Sequence, residues 1–238
     1  MRKLLYVCIL LCIVVAGYAQ FSMNGQKGPE ISVNGEVVLS APEEGLWGVA
    51  AGWSHDWPTD WMYANPDSTV QSGAWTVAYG SLDFPNGKML LRDSYRVRPN
   101  GLLQCVRRFE WKGEETLRNI TLSVRLRMKG KQLMPFMPGI LYYGNKMGAK
   151  VNPNIIPVYE GKAGEFAIFE DHRYPMPFAM LEDAQAKRAA AIHVTPSPVR
   201  GAVLQDQWWS FGVETQENWT DFVLYSGPIG YNRQHSIA

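Results

Sequence analysis

The stretch that decides the fold is Lys88–Met128, KMLLRDSYRVRPNGLLQCVRRFEWKGEETLRNITLSVRLRM. Its Pro99-Asn100-Gly101 segment has the composition of a three-residue hairpin loop with glycine at the left-handed position. A hairpin centred on Asn100 sets one acid, Asp93, opposite one base, Arg107. The same register pairs apolar residues on one face: Val97 with Leu103, Tyr95 with Cys105, Leu91 with Phe109, and Met89 with Trp111. A one-residue slip would turn every side chain over, so this register is strongly specified.

The only cysteine outside the first 19 residues is Cys105, which excludes a disulfide within the rest of the chain. It shares the predicted apolar face with Leu103 and Phe109. We therefore expect a buried thiol that acts as a small hydrophobic group, rather than a nucleophile.

The flanking sequence extends the hairpin. Ile120–Met128 alternates apolar and polar residues with period two, which is typical of a half-buried strand. Trp75–Leu82 precedes the hairpin as a further strand, so Trp75–Met128 is predicted to be a four-stranded meander. Shorter strands follow at Gly139–Tyr143, Glu165–Asp171, Phe178–Leu181, Ala189–Thr195, Trp209–Glu214 and Asp221–Tyr225. Fifteen prolines and 22 glycines punctuate the chain and leave almost no helix signal. The predicted fold class is therefore all-β, an antiparallel β-sandwich.

The chain of 238 residues begins like a secretory signal peptide. Residues 1–19 combine Arg2 and Lys3, a short apolar run and a small residue at the expected cleavage site, Ala19. Residues 20–238 are predicted to form one domain, secreted to the periplasm or the cell surface, with no membrane span after cleavage. Loss of Arg2 and Lys3 leaves 21 cations against 22 acids, which argues against a nucleic-acid partner. The 46% hydrophobic and 19% charged content argues against disorder.

A tryptophan-rich segment, Trp47–Trp61, lacks an obvious strand alternation and is predicted to be a loop. Indole faces stack on sugar rings and adjacent carboxylates bind hydroxyls, so the segment suits a glycan or a neighbouring domain. The alternative is that the tryptophans plug the core. The candidate binding residues here are Trp53, His55, Trp57 and Trp61. The histidine and the nearby acids lack diagnostic ligand spacing, and no metal site is predicted.

Two other segments carry candidate chemistry. Glu170-Asp171-His172-Arg173 precedes Tyr174-Pro175-Met176-Pro177, which together predict a rigid polar loop. Glu170 and His172 are candidates for acid and base, with Asp171 and Arg173 as substrate contacts; a salt-bridged loop is the alternative. Tyr142, Tyr143 and Asn145 also suit carbohydrate. No phosphate-binding or dinucleotide motif, zinc helix or nucleophile elbow occurs, and no cofactor is predicted.

The sequence resembles the N-terminal β-sandwich domain of secreted Bacteroidetes multidomain glycosidases, in which a helical six-hairpin α/α barrel follows. The resemblance rests on Trp75–Met128, on Glu170–Asp183 and on three short motifs, Leu141-Tyr142-Tyr143-Gly144-Asn145, Ala191-Ile192-His193-Val194-Thr195-Pro196 and Tyr225-Ser226-Gly227-Pro228. It implies a galactose-mutarotase-like supersandwich that packs on the barrel and can lend loops to its cleft. The catalytic carboxylates of such enzymes usually lie in the barrel, so we expect an accessory domain of a longer protein, not a complete enzyme.

Two other functions fit the sequence. One is a stand-alone glycan-binding module. The other is a small aldose epimerase-like or lyase enzyme, in which His172 or His193 would act with Glu170 or Glu182 on one sugar. For both the accessory domain and the stand-alone module, the expected partner is carbohydrate. The accessory domain has a second expected partner, a C-terminal helical catalytic domain.

Overall fold

The computed structural model describes residues 19–54, 57–118, 120–139, 161–169, 178–193, 210–226 and 236–237. These residues are nearly all in antiparallel strands, which confirms the all-β, sandwich-like prediction. The strands are β1 Ala19–Asn24, β2 Gly28–Val33, β3 Glu36–Ser40, β4 Trp47–Ser54, β5 Trp57–Ala64, β6 Ser68–Ser72, β7 Trp75–Phe84, β8 Gly87–Val97, β9 Leu103–Gly113, β10 Leu117–Arg118, β11 Thr121–Lys129, β12 Met134–Phe136, β13 Glu165–Phe169, β14 Phe178–Asp183, β15 Arg188–His193, β16 Ser210–Thr215, β17 Trp219–Ser226 and β18 Ser236–Ile237. In this part of the chain no helix is long and apolar enough to cross a membrane.

A nine-stranded sheet organises the molecule. Its order is β1-β2-β3-β11-β17-β16-β13, and the β4–β5 hairpin joins it through pairing of β4 with β11. A four-stranded sheet has the order β6-β7-β8-β9, and a three-stranded sheet has the order β12-β14-β15. A short pair, β10 and β18, completes the described sheets.

Both smaller sheets pack on the same face of the nine-stranded sheet, and β11 shows why. Its even-numbered residues share one face, since side chains alternate along a strand. Leu122 packs on a cluster that includes Trp47, Met89 and Leu91, under the four-stranded sheet. Met128 belongs to a second cluster with Leu181 of the three-stranded sheet. The molecule is therefore a sandwich in which one large sheet faces two small ones. The supersandwich assignment remains a prediction.

The predicted β8–β9 hairpin is confirmed residue by residue. Tyr95 lies opposite Cys105, and Asp93 lies opposite Arg107. Gly101 has a φ of 81°, the left-handed conformation that the loop needs. The Arg98 amide donates to the Leu102 carbonyl at 2.8 Å and closes the loop.

The Asp93–Arg107 pair is buried, with side-chain exposures of 0% and 7%. Arg107 donates from Nε to Oδ1 at 2.7 Å and from Nη2 to Oδ2 at 2.5 Å. The Tyr95 hydroxyl donates to the same carboxylate at 2.6 Å. Arg107 also donates from Nη1 to the Ser123 carbonyl of β11 at 3.1 Å, so the pair ties the four-stranded sheet to the nine-stranded one.

Two predictions about strand organisation are wrong. The predicted meander stops at β9, because β11 crosses to the nine-stranded sheet and pairs with β3, β4 and β17. The segment Trp47–Trp61 is not a loop, because most of it forms β4 and β5. Along β4 the two glycines, Gly48 and Gly52, fall at alternate positions to Trp47, Val49 and Trp53, which is a strand period that the dense tryptophans obscure.

Two predictions about burial are also wrong. The odd-numbered face of β11 was expected to be solvated, yet Thr121 and Ser123 are 0% and 1% exposed. The Tyr63 ring of β5 lies against the Gly48 position, which is paired with Ser123. Cys105 was expected to be buried, yet it is exposed. The strand β9 is the edge of the four-stranded sheet, so its inner face is only partly covered.

The downstream strands follow the expected order where the structure describes them. Four of the six predicted short strands correspond to β14, β15, β16 and β17, with ends that differ by a few residues or fall outside the described ranges. The predicted strand Glu165–Asp171 is seen as β13 up to Phe169. The strand predicted at Gly139–Tyr143 lies outside the described residues from residue 140 onwards.

Candidate functional site

The candidate site is the face of the nine-stranded sheet opposite the core. The odd-numbered residues of β11 and β17 share this face, together with alternate residues of β5 and β16, according to the strand register. We call it the aromatic face, and define it by Trp61, Tyr63, Arg125, Arg127, Glu214, Trp219, Asp221 and Tyr225. It combines four aromatic rings with two cations and two acids.

Three of the rings form a contiguous group. The Trp61 and Tyr63 ring centroids are 6.4 Å apart, and their planes differ by only 17°. Trp61 also lies 5.7 Å from Tyr225, at an angle of 53°. Tyr225 is buried beneath it, whereas Tyr63 is 36% exposed and Trp61 is half-buried. Tyr63 and Trp61 therefore present two nearly parallel rings, and Trp61 packs on an apolar base of Tyr225 and Val223.

Glycines give the rings their space. A Cβ at Gly48 would overlap the Ser123 hydroxyl and would meet the Tyr63 ring at 3.1 Å. A Cβ at Gly212 would meet the Tyr225 ring at the same distance. The sheet surface under both tyrosines is thus kept free of side chains, which lets each ring approach the backbone.

An ionic network lies beside the rings. Arg125 donates from Nη2 to Glu214 Oε2 at 2.5 Å and to Asp221 Oδ2 at 3.1 Å. Arg127 binds the Asp221 carboxylate through Nε at 2.8 Å and Nη2 at 3.0 Å, a bidentate geometry. The Arg127 guanidinium lies 3.6 Å from the centroid of the Trp219 ring. Asp221 is fully buried, so the two arginines supply the charge that it needs away from water.

Burial and ion pairing act in opposite directions on the pKa values of this face. Burial raises the pKa of Tyr63, against the opposing charge and hydrogen bond of Arg125. It also raises the pKa of the Asp221 carboxyl, although Arg127 and Arg125 pull in the other direction. For Arg125, burial lowers the pKa, but Asp221 and Glu214 outweigh it and the net shift is upward. Both arginines are thus committed to carboxylates, and the face offers rings and carboxylate edges rather than free cations.

The structure places only some of the sequence-predicted residues. Trp61 lies on the aromatic face. Trp47 is fully buried in the core between the two sheets, as the alternative interpretation of the tryptophans predicts for it. Trp53 and Trp57 have their backbones in the β4–β5 hairpin, opposite Pro58 and Ser54.

The remaining candidate residues lie outside the described part of the chain. These are His55, Tyr142, Tyr143, Asn145, Glu170, Asp171, His172 and Arg173. The expectation that Glu170–Pro177 and Trp53–Trp61 form one patch therefore stays a prediction. Within the described ranges, no group of three or more histidines, cysteines or acids is placed to hold a metal.

Sequence reasoning missed most of the aromatic face. Arg125, Glu214, Asp221 and Tyr225 lie in strands that the sequence predicts, but no binding role is predicted for them, and no prediction covers Tyr63. One signal was available: Arg125 and Arg127 occupy alternate positions in an apolar strand, and Asp221 begins another. Charges at such positions require partners across the sheet when the second face is covered.

Comparisons with protein-family models, with curated proteins and with solved structures find no match to this chain.

Proposed function

We propose that this protein is an accessory β-sandwich domain of a secreted carbohydrate-degrading enzyme of the glycoside hydrolase type, and that its aromatic face contacts the glycan. The observation that carries the proposal is the pair of nearly parallel rings, Trp61 and Tyr63, on a partly exposed sheet surface. Rigid rings on strands are well suited to bind a flat ligand, because little side-chain freedom is lost on binding.

The surrounding groups fit a sugar. The apolar faces of a pyranose stack on aromatic rings, and its hydroxyls donate to carboxylates. Glu214 is 28% exposed at its side chain and Glu44, which approaches Arg127 at 3.5 Å, is 46% exposed. These two acids border the rings with acceptors, whereas the arginines between them are only 11% exposed. The face therefore favours neutral, hydroxyl-rich chains over acidic ones.

A neighbouring catalytic domain would pack on the same sandwich through exposed apolar residues. The resemblance to glycosidase N-terminal domains implies a helical barrel packed on this protein. Phe166 of β13 lies opposite Glu214 on the same face and is 45% exposed, an apolar contact point of the kind that an interdomain surface uses. The stand-alone module would bind glycan through the same rings without that contact.

The epimerase-like alternative is weakened in one of its forms. His193 lies opposite Phe178, and Glu182 lies opposite Ala189 in the β14–β15 hairpin. These rows are four strand positions apart, about 13 Å, which is too far for one acid and one base to act on the same ring carbon. The forms that use His172 or Glu170 fall outside the described residues.

Binding of neutral polysaccharides to the purified protein tests the proposal. Tyr63→Ala should weaken binding about tenfold, because it removes a stacking face. Tyr79→Ala is the matched control, since Tyr79 is similarly exposed, at 39%, on the four-stranded sheet. Absence of binding to any neutral glycan, or equal losses in the two variants, would contradict a glycan role for the aromatic face.

The parent enzyme is tested by the coding sequence downstream of Ala238. An in-frame helical domain supports the accessory role. A stop codon there favours the stand-alone module.

A further inference from the structure

The outer face of the four-stranded sheet carries a cluster of arginines that the proposed function does not use. Arg92 of β8 lies directly opposite Arg108 of β9. Arg96 lies four positions further along β8, about 13 Å from Arg92. All three share the face that points away from the core, because their neighbours in sequence, Asp93, Tyr95 and Arg107, point inwards. We call Arg92, Arg96 and Arg108 the arginine face.

Aromatic rings hold two of these guanidiniums against the sheet. The Arg96 guanidinium lies 4.3 Å from the Trp75 ring centroid, and that of Arg92 lies 5.6 Å from the Tyr79 centroid. Arg96 also donates from Nε to the Gln104 side chain at 2.9 Å. Stacking fixes each guanidinium plane and leaves other N–H groups free to bind a ligand.

Acids on the same face form ion pairs with lysines and not with these arginines. Lys88 pairs with Asp83 at 3.0 Å, and Lys112 pairs with Glu110. Within the described residues, none of the three arginines has a carboxylate within ion-pair distance. Like charges directly opposite each other destabilise a strand pair. The Arg92–Arg108 row therefore adds nothing to the stability of the fold and is suited to an external anion.

We propose that the arginine face binds an acidic polysaccharide, a glycan chain that carries carboxylate or sulfate groups. The planar fork of arginine matches both groups in bidentate geometry. Strand register sets the cations at two spacings, across the Arg92–Arg108 row and along β8, which suits a ligand with repeating charges. Val106 and Leu90, 39% and 37% exposed on the same face, offer apolar contacts to sugar rings between those charges.

Other polyanions fit this face less well. Single-stranded nucleic acids bind through bases stacked on free aromatic rings, but guanidiniums already cover Trp75 and Tyr79. Anionic membranes are bound by clusters of about four to eight lysines or arginines, which is more than the three cations that define this face. This inference is independent of the proposed function, because it uses a different sheet and needs no neighbouring domain.

The test measures binding of the purified protein to polygalacturonate and to dextran sulfate, with single-stranded DNA and phosphatidylserine vesicles as competing classes. The double variant Arg92→Gln/Arg108→Gln should lose about tenfold or more in affinity for the acidic glycans, with a shallower salt dependence. The matched control, Lys88→Gln/Lys112→Gln, removes the same charge from the same face and should lose less than about twofold. Arg96→Gln gives a second, single-site measurement, and an unchanged unfolding temperature shows that each variant is folded.

Three results would overturn the proposal. One is that neither acidic glycan binds; another is that the arginine and lysine variants lose affinity equally, which indicates diffuse charge attraction. The third is tighter binding to DNA or vesicles than to either glycan. None of these outcomes bears on Tyr63, so failure here is distinguishable from failure of the aromatic face.

Discussion

The two faces of the β8–β9 hairpin use the same residue type in opposite ways. On the inner face Arg107 is buried and satisfied by Asp93, Tyr95 and a backbone carbonyl of the large sheet. On the outer face Arg92 and Arg108 lie opposite each other, exposed, with an aromatic ring rather than an acid against Arg92. The strand register is shared, so the difference comes from what lies above each face.

The comparison shows how burial decides what an arginine can do. A guanidinium away from water needs a carboxylate, and its pairing then serves stability and sheet-to-sheet orientation. A guanidinium in water needs no partner and remains able to bind an external anion. The aromatic face lies between these limits, because Arg125 and Arg127 are mostly buried and paired while the neighbouring rings stay accessible.

Two adjacent arginines of β9 should differ most in what they contribute to stability. Arg107→Ala should lower the free energy of unfolding by about 3–5 kcal/mol, because it leaves the buried Asp93 carboxylate without its cation. Arg108→Ala, one residue away on the outer face, should change it by less than about 0.5 kcal/mol. Urea unfolding of both variants provides the measurement. Similar losses would contradict the assignment of structural and ligand-binding roles to the two faces.

The second expected effect is a loss of stability at alkaline pH. Burial, with the negative charge of Asp93, raises the pKa of Tyr95 well above its usual value. Between pH 10 and the folded-state pKa, the unfolded chain has lost a proton that the folded protein retains. The stability is therefore fully present below about pH 10 and falls above it, by about 1.4 kcal/mol per pH unit for each such tyrosine.

Tyr95→Phe isolates this contribution. The free energy of unfolding, measured with urea between pH 9 and 11.5, should fall less steeply with pH in this variant than in the unaltered protein. The difference in slope should correspond to about one proton. Tyr63, Tyr225 and Cys105, whose pKa values burial also raises, contribute to the slope that remains. Tyr79→Phe on the outer face is the matched control. Equal slopes for Tyr95→Phe and Tyr79→Phe would show that Tyr95 retains no proton in this range.

The hairpin was predictable because its information is local. Pro99-Asn100-Gly101 specifies the loop, and only one register places the apolar residues and the Asp93–Arg107 pair on a common face. No long-range fact was needed for this, and the structure agrees at every predicted pair.

The aromatic face was not predictable because it depends on distant pairings. Arg125 meets Glu214 and Asp221 only through the pairing of β11 with β17, about 90 residues later in the chain. Tyr63 lies on β5, which joins the same sheet through β4. The dense tryptophans of this segment led to the prediction of a loop there. Alternation predicted the two faces of β11 correctly, but it carries no information on whether the second face is covered. The sequence also did not predict that β11 crosses to the large sheet, because a short turn between adjacent strands usually indicates that they pair.

The last prediction concerns Cys105, which faces inwards in register with Asp93 and Arg107 yet is exposed at the sheet edge. Atoms packed around the sulphur, followed by the charge of Asp93, raise the pKa of this thiol to about 12. Because the thiolate is the reactive form, modification of the folded protein at pH 7.5 should be about three orders of magnitude slower than that of a free thiol.

Exposure and acidity make separable contributions to that rate. An accessible thiol with a raised pKa should react to completion, and its rate should rise about tenfold per pH unit up to pH 11. A buried thiol should stay unreactive until the protein unfolds. Labelling with a maleimide from pH 7 to 10, with the urea-unfolded protein as reference, distinguishes the two. Complete resistance at pH 10 would restore the burial that the sequence predicted, and rapid labelling at pH 7.5 would contradict the raised pKa. Complete labelling of the folded protein would place the limit of the covered inner face at Cys105, where pairing in register ceases to imply burial.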